Sequence, residues 1–572
     1  MPASEPHAND PAAPPDPAAP PDPAAPPDPA ERQPLRLLDD LPHELLVKIV
    51  SSLDDSSLGH AAQLCRTMRD IVATTWERLL ATRYPHSDWP GVLTRDEECT
   101  AAAAAWPAQR VAVSLDRLDV AEWRACVALG TPPADRGGHA YCSLEWGGRR
   151  ALLVHGGANG DVLHDDAFVL LCEPFCRSMR WVRLEAEGAP SARWAHTAAS
   201  WGGVGVFHAG HAGTQLGSIN GTHALDCRAG EPHAWRWLGV EVRGQAAPPR
   251  YGHAAAVVDD VLWVHGGVIG GRDAPEFEAS ALVDGQSDSP DLLATPLSLA
   301  DGDAAASRIQ LQWAHPAAQG TPPHCRFGHS LTPSARALWT FGGCMRSALH
   351  GVTFPSTNEL HALRGLGPGE GALRWERVRQ QRPLPSPRAF HASAPFGSSI
   401  LFFGGERLRR HEINYLSDVL CLRLPTFPLE EATTSLPSTA SSADADAPLA
   451  AQRDSLDEMM FLDELCLGEM LGEDEGARPS APHYAARSTG SAGLATGAMT
   501  RSAASWQHVI PDGFQTAPPS SLTTLCVVDS CLLIFGGFNN KSDASLSDIH
   551  VISLCPGLES CPSQQNSLVE CS

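Results

Sequence analysis

Nowhere in its 572 residues does the chain offer the roughly 18 consecutive apolar side chains that a membrane-crossing helix needs. The first 30 residues also lack the basic and apolar regions of a secretory signal. No membrane partner is expected, and the expected location is cytoplasmic, nuclear or both. Basic charge is scarce as well: 42 Lys and Arg face 66 Asp and Glu, a formal net charge of −24. Such a surface excludes tight, sequence-blind binding to nucleic acid, so a protein partner is the default. The 16 cysteines are spread from Cys65 to Cys571, without the dense framework of a small secreted scaffold, and reduced thiols are expected. Cys172 with Cys176, and Cys526 with Cys531, have no second pair at zinc-ligand spacing. There is no phosphate-binding loop, no HExxH and no nucleophile elbow. No catalytic residue, metal or cofactor is therefore expected.

What is present is a chain long enough for several modules, with 43% apolar residues to build their cores. Residues 11–28 are three tandem copies of Pro-Ala-Ala-Pro-Pro-Asp, so 1–34 reads as a disordered leader. The text changes near Leu37. Leu45, Leu46, Ile49, Val50 and Leu53 follow helical spacing, with Pro42 at the helix start, where a missing N–H costs little. Leu58, Ala61, Ala62 and Cys65 continue in a second helix behind the capping run at 54–57, and a third carries Trp76, Leu79 and Leu80. Three helices over 35–86 make a small all-α unit that buries little by itself and so calls for a partner. An Ala-rich linker at 87–118 follows.

From about residue 119 to 555 one unit recurs. It opens on Arg and closes three residues later on His: Arg136 and His139, Arg193 and His196, Arg250 and His253, Arg326 and His329, Arg388 and His391. An apolar run then ends in a glycine pair: Gly156-Gly157, Gly266-Gly267, Gly342-Gly343, Gly404-Gly405 and Gly536-Gly537, with Ala209-Gly210 standing in for the sixth. An Asp or Asn precedes the next apolar strand, at Asp166, Asn358, Asp418 and Asp548, and a tryptophan opens the last segment: Trp181, Trp235 or Trp237, Trp313, Trp375 and Trp506. Four short strands per unit, repeated six times, predict an all-β propeller of six blades. No tryptophan follows the sixth glycine pair, whereas Trp123 precedes the first Arg136. The strand at 121–129 is therefore expected to complete the last blade and close the ring. Insertions are expected at about 270–290 and 426–503, and a free tail at 556–572. The larger insertion contains an acidic and apolar tract with Leu456, Met460, Leu462 and Leu465 as possible partner anchors. The repeated histidines read as structural hydrogen-bonding groups. The arginines leave two readings open: pairing inside a blade, or a ring of guanidinium groups facing a partner.

Two family resemblances stand on these residues. The run Leu41-Pro-His-Glu-Leu-Leu-Val-Lys-Ile-Val-Ser-Ser-Leu-Asp, with Ser57-Leu58 and Leu64-Cys65-Arg66, resembles the F-box family, departing from it at Met68, where many members have Trp. The six units resemble kelch repeats, with Trp123, Trp181, Trp313, Trp375, Trp506 and the glycine pairs in structural roles. Together they are similar to plant clock-type F-box kelch proteins, but only the proline-rich leader precedes the F-box, so a flavin-binding sensory domain is not expected. Nor do five tyrosines, at Tyr84, Tyr141, Tyr251, Tyr415 and Tyr484, supply the ligands of a copper oxidase on this fold. The resemblance implies the non-catalytic, substrate-recognition subunit of a cullin–RING ubiquitin ligase. Its Skp-type adaptor would contact Leu41, Pro42, Leu45, Ile49, Leu53, Leu58 and Cys65, and its propeller would hold a target protein whose contacts are unknown. The alternative is a kelch scaffold that recruits no ligase.

Overall fold

The computed structural model describes residues 122–554, except 148, 174–175, 214, 229, 270–291, 301–307, 346–354, 368–369, 410–411, 426–502, 510–517, 529–530 and 540–543, together with positions 46, 47, 50, 53, 71, 75, 78 and 118. Of the upstream positions, 46, 47, 50, 71, 75 and 78 are helical, and Thr75 Oγ1 donates to the Ile71 carbonyl one turn back at 2.8 Å. The remaining upstream expectations, the leader, the linker, the larger insertion's tract and the tail lie outside the described residues.

Six antiparallel sheets form a propeller. Blade 1 runs Ala140–Trp146, Arg149–His155, Ala167–Cys172 and Met179–Leu184, and blade 2 Thr197–Trp201, Val204–His211, Ser218–Asp226 and Arg236–Val242. Blade 3 has Ala254–Val258, Val261–His265 and Leu292–Pro296. Blade 4 has Ser330–Ser334, Ala337–Phe341, Leu360–Arg364 and Arg374–Arg377. Blade 5 has Ala392–Phe396, Ser399–Phe403, Val419–Arg423 and Ser505–His508. Blade 6 has Thr524–Val528, Cys531–Asn539 and Ala544–Ser553, and its outer strand is Glu122–Cys126, paired from Glu122 with Ser553 to Cys126 with Ile549. The N-terminal strand thus closes the ring and covers the edge of Ala544–Ser553.

Blade 3 departs from the sequence pattern. Trp313 lies beyond any strand, and its neighbour Ala314 makes only a single bridge to Ala294. The preceding Arg308–Leu311 runs parallel to the outer strand of blade 2 instead. In blade 2 it is Trp237, not Trp235, that sits within the outer strand.

The core lies between blades. Second strands covered on both faces are largely apolar, such as Ser399–Phe403, buried throughout. The outer-strand tryptophans wedge against the residue that precedes the glycine pair one blade back. Trp181 meets Phe535 at 5.0 Å, Trp375 meets His265 at 5.3 Å and Trp506 meets Phe341 at 4.7 Å, while Trp313 reaches His208 at 4.7 Å. Each such aromatic contributes about 2–3 kcal/mol by burial.

Candidate functional site

The strands of each blade alternate in direction, so the propeller has two chemically different faces. Inner strands begin and second strands end at the face that holds the Arg-to-His segments and the glycine pairs. Around the axis on this face, six residues form a closed ring of backbone hydrogen bonds. Gly138 donates to Leu522 (3.1 Å), Leu522 to Phe390 (2.9 Å), Phe390 to Gly328 (2.6 Å), Gly328 to Gly252 (2.8 Å), Gly252 to Ala195 (2.8 Å) and Ala195 to Gly138 (2.7 Å). All six are left-handed, with φ between 51° and 66°. That conformation turns the chain into the inner strand, aiming the N–H at one neighbouring blade and the C=O at the other. Ala195, Phe390 and Leu522 hold it without being glycine, at a cost of about 1–2 kcal/mol each.

Below the ring, an axial cavity of about 250 Å³ is lined by the motif histidines and the first residues of the inner strands. Each histidine is latched to the preceding blade through Nε2: His139 to Thr524 Oγ1 (2.6 Å), His196 to His155 Nδ1 (3.0 Å), His253 to Thr197 Oγ1 (2.8 Å), His329 to His265 Nδ1 (2.9 Å) and His391 to Ser330 Oγ (3.0 Å). In blade 6, Ser520 and Thr523 occupy the Arg and His positions. Burial, reinforced by the Arg136 charge, lowers the pKa of His139 to about 3. Burial and the Arg388 charge do the same to His391. Both rings are neutral at physiological pH and hold blades together.

The arginines resolve to the intra-blade reading. Arg136, Arg250 and Arg388 are fully buried, and Arg193 and Arg326 nearly so. Arg136 forks onto Asp166 (2.6 and 3.3 Å) and donates to the Gly156 carbonyl (2.9 Å), and Arg388 repeats this with Asp418 (2.8 and 2.8 Å) and Gly404 (3.0 Å). In blade 4 the carboxylate on Arg326 is Glu359 at 2.7 Å. The neighbouring Asn358 donates to the Pro385 carbonyl. The guanidinium groups therefore present no charged ring to a partner.

The surface of this face is made by the hairpins that follow the glycine pairs. Val162, Leu216, Ile269 and Ile413 stand exposed on the hairpins of blades 1, 2, 3 and 5. Nearer the axis, Trp194, Tyr251, Phe327, Phe390 and Phe538 are half-buried. This aromatic and aliphatic mouth was missed in the sequence because its members fall at the variable positions of the repeat. The signal was there: in four of the five motifs one of the two residues between Arg and His is aromatic, Trp194, Tyr251, Phe327 or Phe390.

The described chain enters the closing strand and leaves blade 5 at the opposite face. Glu122 enters there, since its partner Ser553 also pairs with Cys531, far from Gly536. The chain leaves the described residues after Pro425 there too, because Arg423 pairs with Ser399, the end of the strand remote from Gly404. Leu46, Val50, Ile71 and Leu118 belong to one buried cluster with residues of blades 1, 5 and 6, among them Cys172, Met179, Phe403, Phe535 and Leu554. Leu53 packs against the same cluster, partly buried. The other candidate adaptor contacts, Leu41, Pro42, Leu45, Ile49, Leu58 and Cys65, lie outside the described residues. Among the described residues, no three His, Cys, Asp or Glu side chains are grouped to hold a metal, and no helix is long and apolar enough to cross a membrane.

Six blades around an axis, built on recurring Arg, His, Gly-Gly and Trp positions, define a kelch-type propeller. A family model described as KLHDC2/KLHL20/DRC7 Kelch-repeats domain matches residues 109–284, and one described as F-box-like matches residues 38–82. The chain carries an F-box-like segment ahead of kelch repeats. It is similar to Adagio protein 3 of Arabidopsis thaliana, 28% identical over 318 residues, covering 55% of this chain and 44% of that protein. It is also similar to the Leucine-zipper-like transcriptional regulator 1 homolog of Drosophila melanogaster, 26% identical over 290 residues, covering 45% of this chain and 28% of that protein. A third relative, the Rab9 effector protein with kelch motifs of Xenopus laevis, is 26% identical over 229 residues, covering 39% and 53%. The chain thus spans about half or less of the length of these relatives.

Proposed function

We propose that this chain is the substrate-recognition subunit of an SCF-type cullin–RING ubiquitin ligase. The observation that carries the reading is the F-box-like segment at 38–82 joined to a kelch propeller. The Skp-type adaptor binds the F-box helices through Leu41, Pro42, Leu45, Ile49, Leu53, Leu58 and Cys65. Leu53 contributes least, because it is already packed against the chain's own core. The propeller holds the target protein, and the ubiquitin-loaded enzyme acts in trans by proximity, so this chain needs no catalytic group. The apolar mouth at the glycine-pair face offers the propeller a surface for that target.

The test is co-purification of the Skp-type adaptor with the intact chain and with a Leu41→Asp, Leu45→Asp double variant. The intact chain is expected to retain the adaptor and the variant to lose it at least tenfold, with propeller unfolding temperature unchanged. An intact chain that retains no adaptor, or a variant that retains it fully, overturns the ligase reading in favour of a scaffold.

A further inference from the structure

The sector of the mouth formed by blades 4 and 5 presents two arginines on an otherwise acidic chain. Arg382 is exposed on the loop that links the two blades. Arg407 is half-exposed on the blade 5 hairpin, where strand alternation turns it away from the buried Glu406. Neither arginine pairs with a carboxylate among the described residues. Exposed Leu384 and Ile413 lie on the same two segments. Hydrogen bonds tie these segments into one surface. Asn358 Nδ2 donates to the Pro385 carbonyl at 3.1 Å, Ser356 N donates to the Leu408 carbonyl at 3.3 Å, and Leu408 N donates to Ser356 Oγ at 2.9 Å. Phe327 and Phe390, 5.9 Å apart, form its axial wall. The exposed carboxylates Asp161 and Asp165 stand on the hairpin of blade 1, across the ring from these two arginines.

We infer that this sector docks an acidic segment of a partner protein that carries an aliphatic or aromatic anchor. The carboxylates meet Arg382 and Arg407, and the anchor lies between Leu384, Ile413 and the Phe327–Phe390 wall. This inference rests on the propeller being the target-holding module. It does not depend on adaptor binding, so failure of the adaptor test leaves it standing.

The experiment is selection of a phage-displayed random dodecapeptide library on the purified full-length chain, repeated on an Arg382→Glu, Arg407→Glu variant and on a Leu384→Ser, Ile413→Ser variant. Unchanged thermal unfolding establishes that each variant is folded. Peptides selected on the unaltered chain are expected to be enriched at least threefold in Asp and Glu and to share a large apolar residue. The charge variant should lose the acidic enrichment and the apolar variant the anchor. Binding of a selected peptide should also weaken as salt rises. Selection of basic or neutral peptides, acidic enrichment that persists in the charge variant, or no enrichment at all would overturn the proposal.

Discussion

The motif histidines show how a residue that looks like chemistry serves as structure. Five appear at one repeat position, and two more, His155 and His265, precede glycine pairs and accept the latch from the next blade. His139, His155, His208, His265 and His391 are each held down to about 3, first by burial and then by a buried arginine: Arg136, Arg193, Arg250, Arg326 and Arg388 respectively. In the unfolded chain the same rings titrate near 6.5. Above that pH both states are neutral and these histidines leave stability unchanged. Below it the unfolded chain takes up protons that the folded chain refuses, and stability falls until about pH 3. Each ring contributes a slope of about 1.4 kcal/mol per pH unit inside that window. Thermal unfolding should therefore move steadily downward from pH 7 to pH 5. A melting temperature that stays flat over that interval would show that the latches are already protonated or broken.

At the scale of strand and turn, the glycine pairs work across blade boundaries. The second glycine donates to the carbonyl at the start of the next blade: Gly157 to Arg193, Gly267 to Arg326, Gly343 to Arg388, Gly405 to Ser520 and Gly537 to Arg136, at 2.8 to 3.1 Å. The first glycine leaves room for that neighbour. A Cβ on Gly342 would sit 2.5 Å from the Arg388 carbonyl oxygen and 2.9 Å from His391 Cε1, and its φ is +67°. Gly160, at the tip of the blade 1 hairpin, shares the left-handed backbone (φ +55°) but meets nothing within 4 Å. Gly160→Ala should then cost only the conformational penalty, about 1 kcal/mol, whereas Gly342→Ala adds a clash against backbone and should cost about 3 kcal/mol or more. Denaturant unfolding of the two variants separates these terms, and equal losses would refute the blade-boundary role. The period, the blade count and the glycine pairs were legible in the sequence because they recur at fixed offsets. What the glycines touch was not, since the contact is with the next repeat. Nor was the partner of Arg326 legible: it is Glu359, while the neighbouring Asn358 bonds to the Pro385 carbonyl. The outer strand of blade 3 gives way to pairing along blade 2, a non-local contact that local pattern does not encode.

For the whole molecule, the decisive element is a strand of five residues. Glu122–Cys126 crosses more than 400 residues to pair with Ala544–Ser553, and through Leu129, which bonds to Met179 and Trp181, it also touches blade 1. Five residues thereby fasten the last blade to the first, against the buried cluster that the F-box-like end also joins. A ring closed this way transmits local damage globally, because losing the strand exposes the edge of Ala544–Ser553 and part of the cluster that holds Leu46, Val50 and Ile71. Ala125→Pro removes one N–H from the centre of the closing strand, opposite His550. Val127→Pro places the same residue two positions on, at a side chain that is 98% exposed and past the last strand pair. Ala125→Pro should therefore lower the unfolding temperature by several degrees and shift the protein toward aggregates on size exclusion. Val127→Pro should leave both measurements close to the unaltered chain. If the two variants behaved alike, the N-terminal strand would be an accessory to a ring that blade 6 closes by itself.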